Sequence, residues 1–166
     1  MRFDSNEELY FSWWLDELVK AGPVIEYQRG SSFSLSEPVK IWVEKELKTK
    51  TKMIEKHLMN GHIYTPDFIV LFRPSFAEKC KLEIQSGGIS FIEVKGDYDA
   101  QNMTRLFSIN KKWIYQVHGK VINLVKIPLF FEKTFTPDRY LITDKSGKPR
   151  KIKKEFVNRT LKQFMG

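Results

Sequence analysis

The spacing of apolar residues predicts a helix near the N-terminus. Between residues 6 and 21, apolar side chains recur with a helical rhythm, and the rhythm stops at Gly22-Pro23. Ser5 precedes Glu8 by three positions, which fits a capping box, where each side chain satisfies a free amide at the helix start. The pattern therefore predicts a first helix over residues 6–21.

Short apolar runs further along the chain predict strands. Residues 24–28 and 39–43 are brief and separated by Ser, Gly and Pro, as strands in a sheet are. Residues 68–72 form a continuous apolar run of buried-strand length, and residues 89–95, after Gly87-Gly88, form a second. We expect the last two to be adjacent central strands.

The remaining segments before Pro128 complete an α/β pattern. Residues 44–56 alternate Lys with Thr, Glu and a few apolar residues, which suits a solvated strand or hairpin as well as a charged helix. Their lysines indicate a solvated face. Residues 103–113 carry apolar side chains at the spacing of an amphipathic helix, and residues 121–127 are typical of another strand.

The composition changes beyond Pro128. The chain is first aromatic and then basic, with eight basic residues against one acid between 145 and 162, a net +7 of the chain's +8. A turn at Asp144 and the apolar residues near the C-terminus predict a hairpin and a short terminal helix. We therefore expect a core over residues 1–128 and a basic C-terminal extension over residues 129–166.

Charge and cysteine content limit the classes of function. A net charge of +8 and a pI near 9.5 favour an anionic partner such as nucleic acid, although a basic surface also suits solubility or a membrane surface. The single cysteine, Cys80, excludes an internal disulfide and indicates a reducing compartment. No apolar run approaches the roughly 18 residues of a membrane helix. We expect a cytoplasmic protein with no membrane partner.

The candidate chemistry lies at the two apolar strands. Asp67 immediately precedes the first, and Glu93 and Lys95 lie in the second. Alternate residues of a strand share a face, so Glu93 and Lys95 project together while Ile92 and Val94 face the other way. Charges inside an apolar strand are costly unless they are paired or bind a metal. Mg²⁺ prefers oxygen ligands, so Asp67, Glu93 and the backbone carbonyl of Val94 are candidate metal ligands.

Such a site favours phosphodiester hydrolysis. The ion would polarise the scissile phosphate and acidify a bound water. Lys95 would orient or deprotonate that water and offset the charge that develops on phosphorus.

The same residues match a known signature. Pro66-Asp67 and Glu93-Val-Lys95 fit the PD-(D/E)XK pattern, so the chain resembles the restriction-endonuclease-like nuclease superfamily. Over residues 3–127 it is also similar to small phage-encoded endonucleases and to the catalytic domain of Tn7-type end-cleaving transposition proteins. The resemblance implies an α/β fold with a mixed central sheet flanked by helices, Mg²⁺ or Mn²⁺ as cofactor, and a bacterial or phage-infected cell. It also implies that Glu8 assists metal binding, a role compatible with helix capping.

We expect DNA to be the partner, and the basic extension to contact it. The predicted nucleic-acid-binding residues are Lys145, Lys148, Arg150, Lys151, Lys153, Lys154 and Arg159. The alternative for these side chains is a solvated face. The sequence leaves open a homodimer and a protein partner that targets the enzyme.

Competing interpretations remain for the site itself. Asp67 alone would suit a strand-end cap, and Glu93 with Lys95 a surface ion pair. Asp97 and Asp99 would join the metal site or, as we prefer, solvate a loop, and Gln101 is a weaker candidate for substrate contact. An inactive nucleic-acid-binding module of the same fold and a nuclease that acts on RNA are the alternative functions.

Overall fold

Eight strands and five α-helices are present in the residues that the computed structural model describes, which are 3–96, 103–143, 147–151 and 158–166. The strands are β1 (Val24–Arg29), β2 (Phe33–Ser36), β3 (Val39–Leu47), β4 (Lys50–Met59), β5 (His62–Tyr64), β6 (Phe68–Phe72), β7 (Ile89–Gly96) and β8 (Ile122–Ile127). The helices are α1 (Asn6–Ala21), α2 (Pro74–Lys79), α3 (Met103–His118), α4 (Leu129–Lys133) and α5 (Leu161–Met165), with a 3-10 helix at Asp138–Leu141.

Helix α1 has the limits that its sequence predicts. The amide of Glu8 donates to the Ser5 hydroxyl over 3.2 Å, so Ser5 caps the helix. Gly22 ends it with φ of 92°, a left-handed conformation that glycine adopts without strain. The predicted capping box is half formed. In a complete box the Glu8 carboxylate would accept from the Ser5 amide, whereas here it accepts from the Ser5 hydroxyl and the Asp4 amide.

The central sheet is mixed. Its four strands run in the order β1-β6-β7-β8, with antiparallel pairs except for the parallel pair of β7 and β8, which α3 connects. The predicted adjacency of the two apolar strands, β6 and β7, is confirmed. The ambiguous segment 44–56 is strand and turn, within a long hairpin of β3 and β4. Strands β2 and β5 form a further antiparallel pair.

The sheet separates two hydrophobic clusters. Helix α1 contacts the sheet, and the larger cluster joins it to Ile92 and Val94 of β7. The smaller cluster contains Phe91 and Ile122 together with Ile114 of α3. Residues of β7 thus alternate between the clusters, as predicted, and Glu93 shares the face of Phe91.

The C-terminal segment packs on the larger cluster. Phe131, Phe135, Tyr140 and Phe164 are all buried members of it. The predicted terminal helix is present as α5, and a single bridge joins Ile142 to Pro149. The turn of the predicted hairpin, at 144–146, lies outside the described residues.

None of the helices within the described ranges is long and apolar enough to cross a membrane.

Candidate active site

Asp67 is attached to β7 through its side chain. The paired residues of β6 and β7 end at Phe68 and Ile92. Beyond that pair, the amide of Val94 donates to Asp67 Oδ2 over 2.7 Å. The carboxylate thereby extends the hydrogen bonding between the two strands and is held beside the backbone that links Glu93 to Lys95.

Glu93 lies between a cation and a hydroxyl. Lys95 Nζ is 2.7 Å from Glu93 Oε1, and the Tyr64 hydroxyl donates to Glu93 Oε2 over 2.8 Å. Glu93 and Tyr64 are buried, whereas Lys95 is half-buried. The predicted projection of Glu93 and Lys95 from one face of β7 is confirmed, and both carboxylate oxygens of Glu93 are engaged.

Glu8 reaches the same region from the start of α1. Its carboxylate is buried and forms an ion pair with Arg29 at the end of β1. Arg29 also contacts Asp4 at 3.3 Å and lies over the rings of Phe3 and Phe68. The buried Glu8 charge is therefore compensated, as a buried carboxylate must be.

The electrostatics show that these acids act on one another. Burial raises the pKa of Asp67 to about 7, assisted by the charges of Glu93 and Glu8 and opposed by the Val94 amide and Lys95. Burial alone would lower the pKa of Lys95, but its hydrogen bond to Glu93 and the charges of Glu93, Asp67 and Glu8 raise it. Two cations, Arg29 and Lys95, thus lie among four carboxylates, which are those of Asp4, Glu8, Asp67 and Glu93.

Burial also raises the pKa of the Tyr64 hydroxyl, with the charge of Glu93 and the hydrogen bond to it as further causes. Tyr64 therefore stays a hydrogen-bond donor to Glu93 at physiological pH.

Gly30 determines how closely β1 approaches Asp67. A Cβ at this position would lie 1.8 Å from the Pro66 carbonyl oxygen. The Gly30 amide donates to the Asp67 carbonyl over 3.1 Å. A residue without a side chain is thus required where the chain after β1 passes the Pro66–Asp67 peptide.

The carboxylate oxygens of the site suit a hard divalent ion in their chemistry, but less so in their present arrangement. Carboxylate oxygens are the ligands that Mg²⁺ prefers, and a bound cation would oppose the burial and the neighbouring charge of Glu93 that raise the pKa of Asp67. In the part of the chain that the structure describes, however, no three His, Cys, Asp or Glu side chains are grouped to hold an ion. The carboxylates of Glu8, Asp67 and Glu93 instead have protein partners.

Several candidate residues are described only in part or not at all. Asp97, Asp99 and Gln101 lie outside the described residues, as do Lys145, Lys153 and Lys154 of the predicted nucleic-acid-binding set. Lys148 and Lys151 are exposed.

The two arginines of the predicted nucleic-acid-binding set contact protein groups. Arg150 donates to the Tyr140 carbonyl over 2.8 Å and its guanidinium lies over the Tyr10 ring. Arg159 donates to the Glu132 carbonyl over 2.8 Å. The role of this set in nucleic-acid binding stays a prediction.

Comparison with family models, with curated proteins and with solved structures finds no match for this chain. The resemblance to restriction-endonuclease-like nucleases therefore stays a prediction from motifs.

Sequence reasoning missed three residues of the site: Arg29, Gly30 and Tyr64. Tyr64 stands inside the Tyr-Thr-Pro-Asp motif, and its closeness to Asp67 in sequence was the available signal. Arg29 ends β1 and Gly30 follows it, and the partner strand of β1 begins at Phe68, so the relation of these two residues to Glu8 and Asp67 appears only in the folded chain.

Proposed function

We propose that the chain is a Mg²⁺- or Mn²⁺-dependent endonuclease that hydrolyses DNA phosphodiester bonds, with a restriction-endonuclease-like fold. One observation carries the proposal: the Asp67 carboxylate is bonded to the Val94 amide, between Glu93 and Lys95. An acid at the start of one central strand and an acid and a lysine on the next are thereby brought to one place.

Asp67 and Glu93 would hold the ion, with the Val94 carbonyl as a backbone ligand. When bound, the ion would supply Lewis acidity toward the phosphate and acidify its water. Glu8, whose carboxylate is bonded to Arg29 and Ser5, would support the site through its negative charge.

Lys95 would act on the phosphate and its attacking water. Its ammonium group already lies at an acidic cluster, 2.7 Å from Glu93. A cation fixed in this way needs little rearrangement to offset the charge that develops as the phosphodiester is attacked. Tyr64 and Arg29 would act as positioning residues, because each contacts a carboxylate of the site.

A second candidate is a nucleic-acid-binding module that does not cut. It is favoured by the lack of a three-ligand cluster in the described ranges. The chain's net charge of +8 supports a nucleic acid as the partner in both cases.

The test is cleavage of supercoiled plasmid, single-stranded DNA, branched DNA and RNA, with Mg²⁺, Mn²⁺, Ca²⁺ or EDTA. We expect metal-dependent cutting by the wild type and a loss of about a hundredfold or more in Glu93→Gln and Asp67→Asn. Glu26→Gln is the matched control, because Glu26 is an exposed acid on β1.

Cutting in EDTA, or equal cutting by Glu93→Gln, would contradict the proposal. Salt-sensitive binding of nucleic acid without cutting, under every metal condition, would favour the binding module.

A further inference from the structure

The hairpin of β3 and β4 contributes few side chains to the core. Along both strands only Val43 and Ile54, which are opposite each other, are half-buried, and every other residue is exposed. Even Trp42 is 67% exposed. Residues 39–59 therefore form an arm whose side chains are available to a partner.

The register of the arm sorts its charges onto two faces. Opposite residues of an antiparallel pair project on the same side, and neighbours along a strand project on opposite sides. Ile41 is opposite Lys56, Lys45 is opposite Lys52, and Leu47 is opposite Lys50. One face, which we name the lysine face, therefore carries Lys45, Lys50, Lys52 and Lys56.

The acids of the arm all lie on the other face. Glu44, Glu46 and Glu55 occupy the positions that alternate with those of the lysine face, and so does Lys40. Lys40 forms an ion pair with Glu55 at 2.9 Å. The lysine face thus has four positive charges and no acid of the hairpin.

This arrangement is unfavourable in the isolated protein. Like charges directly opposite each other destabilise a strand pair, and Lys45 faces Lys52. Among the salt bridges of the described residues, none involves a member of the lysine face. A polyanion would remove the repulsion and release counterions on binding.

We infer that the lysine face binds the phosphate backbone of a nucleic-acid duplex. A two-stranded ribbon is narrow enough to enter the major groove of DNA, and lysines along it would neutralise the adjacent phosphates. A second copy of the chain is the poorer partner, because two lysine faces that meet would repel. The inference rests on the proposed function only for the class of ligand, and it concerns binding and not cleavage.

The experiment measures binding of a short fluorescent DNA duplex in EDTA, from about 50 to about 200 mM salt. The variant is Lys45→Gln/Lys52→Gln, and its matched control is Lys20→Gln/Lys133→Gln, which removes the same charge from exposed positions outside the hairpin. We expect the slope of log K against log salt to fall by about two in the variant and to stay unchanged in the control. Affinity of the variant at low salt should fall more than tenfold.

The outcomes separate this inference from the proposed function. An unchanged slope in the variant overturns the inference, even if the wild type cuts DNA. A reduced slope in a protein that cuts nothing supports the inference while the proposed function fails. A changed sedimentation coefficient in the variant, with the slope unchanged, would assign the face to a second copy of the chain and overturn the inference.

Discussion

At the scale of single residues, the hydroxyl of Tyr64 holds Glu93 in position. It is buried, it donates over 2.8 Å to one oxygen of Glu93, and Lys95 contacts the other oxygen. Hydrogen bonds to a charged acceptor contribute more than neutral ones. Removal of the Tyr64 hydroxyl alone would therefore free one oxygen of Glu93, which is a proposed metal ligand.

Tyr64→Phe removes this hydroxyl and keeps the ring. We expect a loss of about 2 kcal/mol in the free energy of unfolding, measured with urea. We also expect the Mg²⁺ concentration for half-maximal cutting to rise about tenfold, because partners of metal ligands tune metal affinity.

Tyr27→Phe is the matched control, since the Tyr27 hydroxyl donates to Asp16 over 2.7 Å at an exposed position. It should leave the Mg²⁺ dependence unchanged. An equal Mg²⁺ shift in both variants would assign Tyr64 a structural role only.

Local patterns carry only part of the information about such residues. The shared face of Glu93 and Lys95 could be predicted, because side chains alternate between the two faces along a single strand. The partners Tyr64 and Arg29 were not, because they lie 29 and 21 positions from Glu93 and Glu8. Their contacts depend on which strands pair.

At the scale of elements, Gly30 sets the approach of β1 to the start of β6. We expect Gly30→Ala to lower the free energy of unfolding by about 2 kcal/mol, because its methyl group would overlap the Pro66 carbonyl and displace Asp67. Cutting per folded molecule should fall as well. Urea denaturation and plasmid cleavage measure the two effects.

Gly119→Ala is the comparison, because Gly119 has φ of 63° with nothing within 4 Å of an added Cβ. It should cost about 1 kcal/mol through backbone strain alone and leave cutting per folded molecule intact. Full activity in Gly30→Ala would show that the close approach does not position Asp67.

Elements were predictable when they were long or continuously apolar. Helices α1 and α3 were predicted from periodicity and strands β6 and β7 from continuous apolar runs, whereas α2 and α4, of six and five residues, are too short to show a helical periodicity. Residues 44–56, within the hairpin of β3 and β4, stayed ambiguous in sequence because nearly all of the hairpin's residues are exposed, so no buried face imposes a strict alternation.

At the scale of the whole molecule, the end of the described chain completes the larger core. Phe164 of α5 packs edge-on against Phe76 of α2 and contacts Phe135. We expect Phe164→Ala to lower the free energy of unfolding by about 3 kcal/mol, measured by urea denaturation.

Met165→Ala, at a neighbouring side chain that is 43% exposed, should cost much less. Equal costs would show that α5 lies loosely on the core. The composition change at Pro128 gave no sign of this packing, because aromatic residues far apart in sequence meet only in the folded chain.

The bond from the Val94 amide to Asp67 has a consequence for how long the site keeps its shape. Val94 is 4% exposed and lies in a strand flanked on both sides by others. An amide in such a position exchanges its hydrogen with water mainly through the rare opening of the whole core. We therefore expect the Val94 amide to exchange slowly, and its hydrogen-exchange rate measures how often the Asp67 carboxylate leaves the strand.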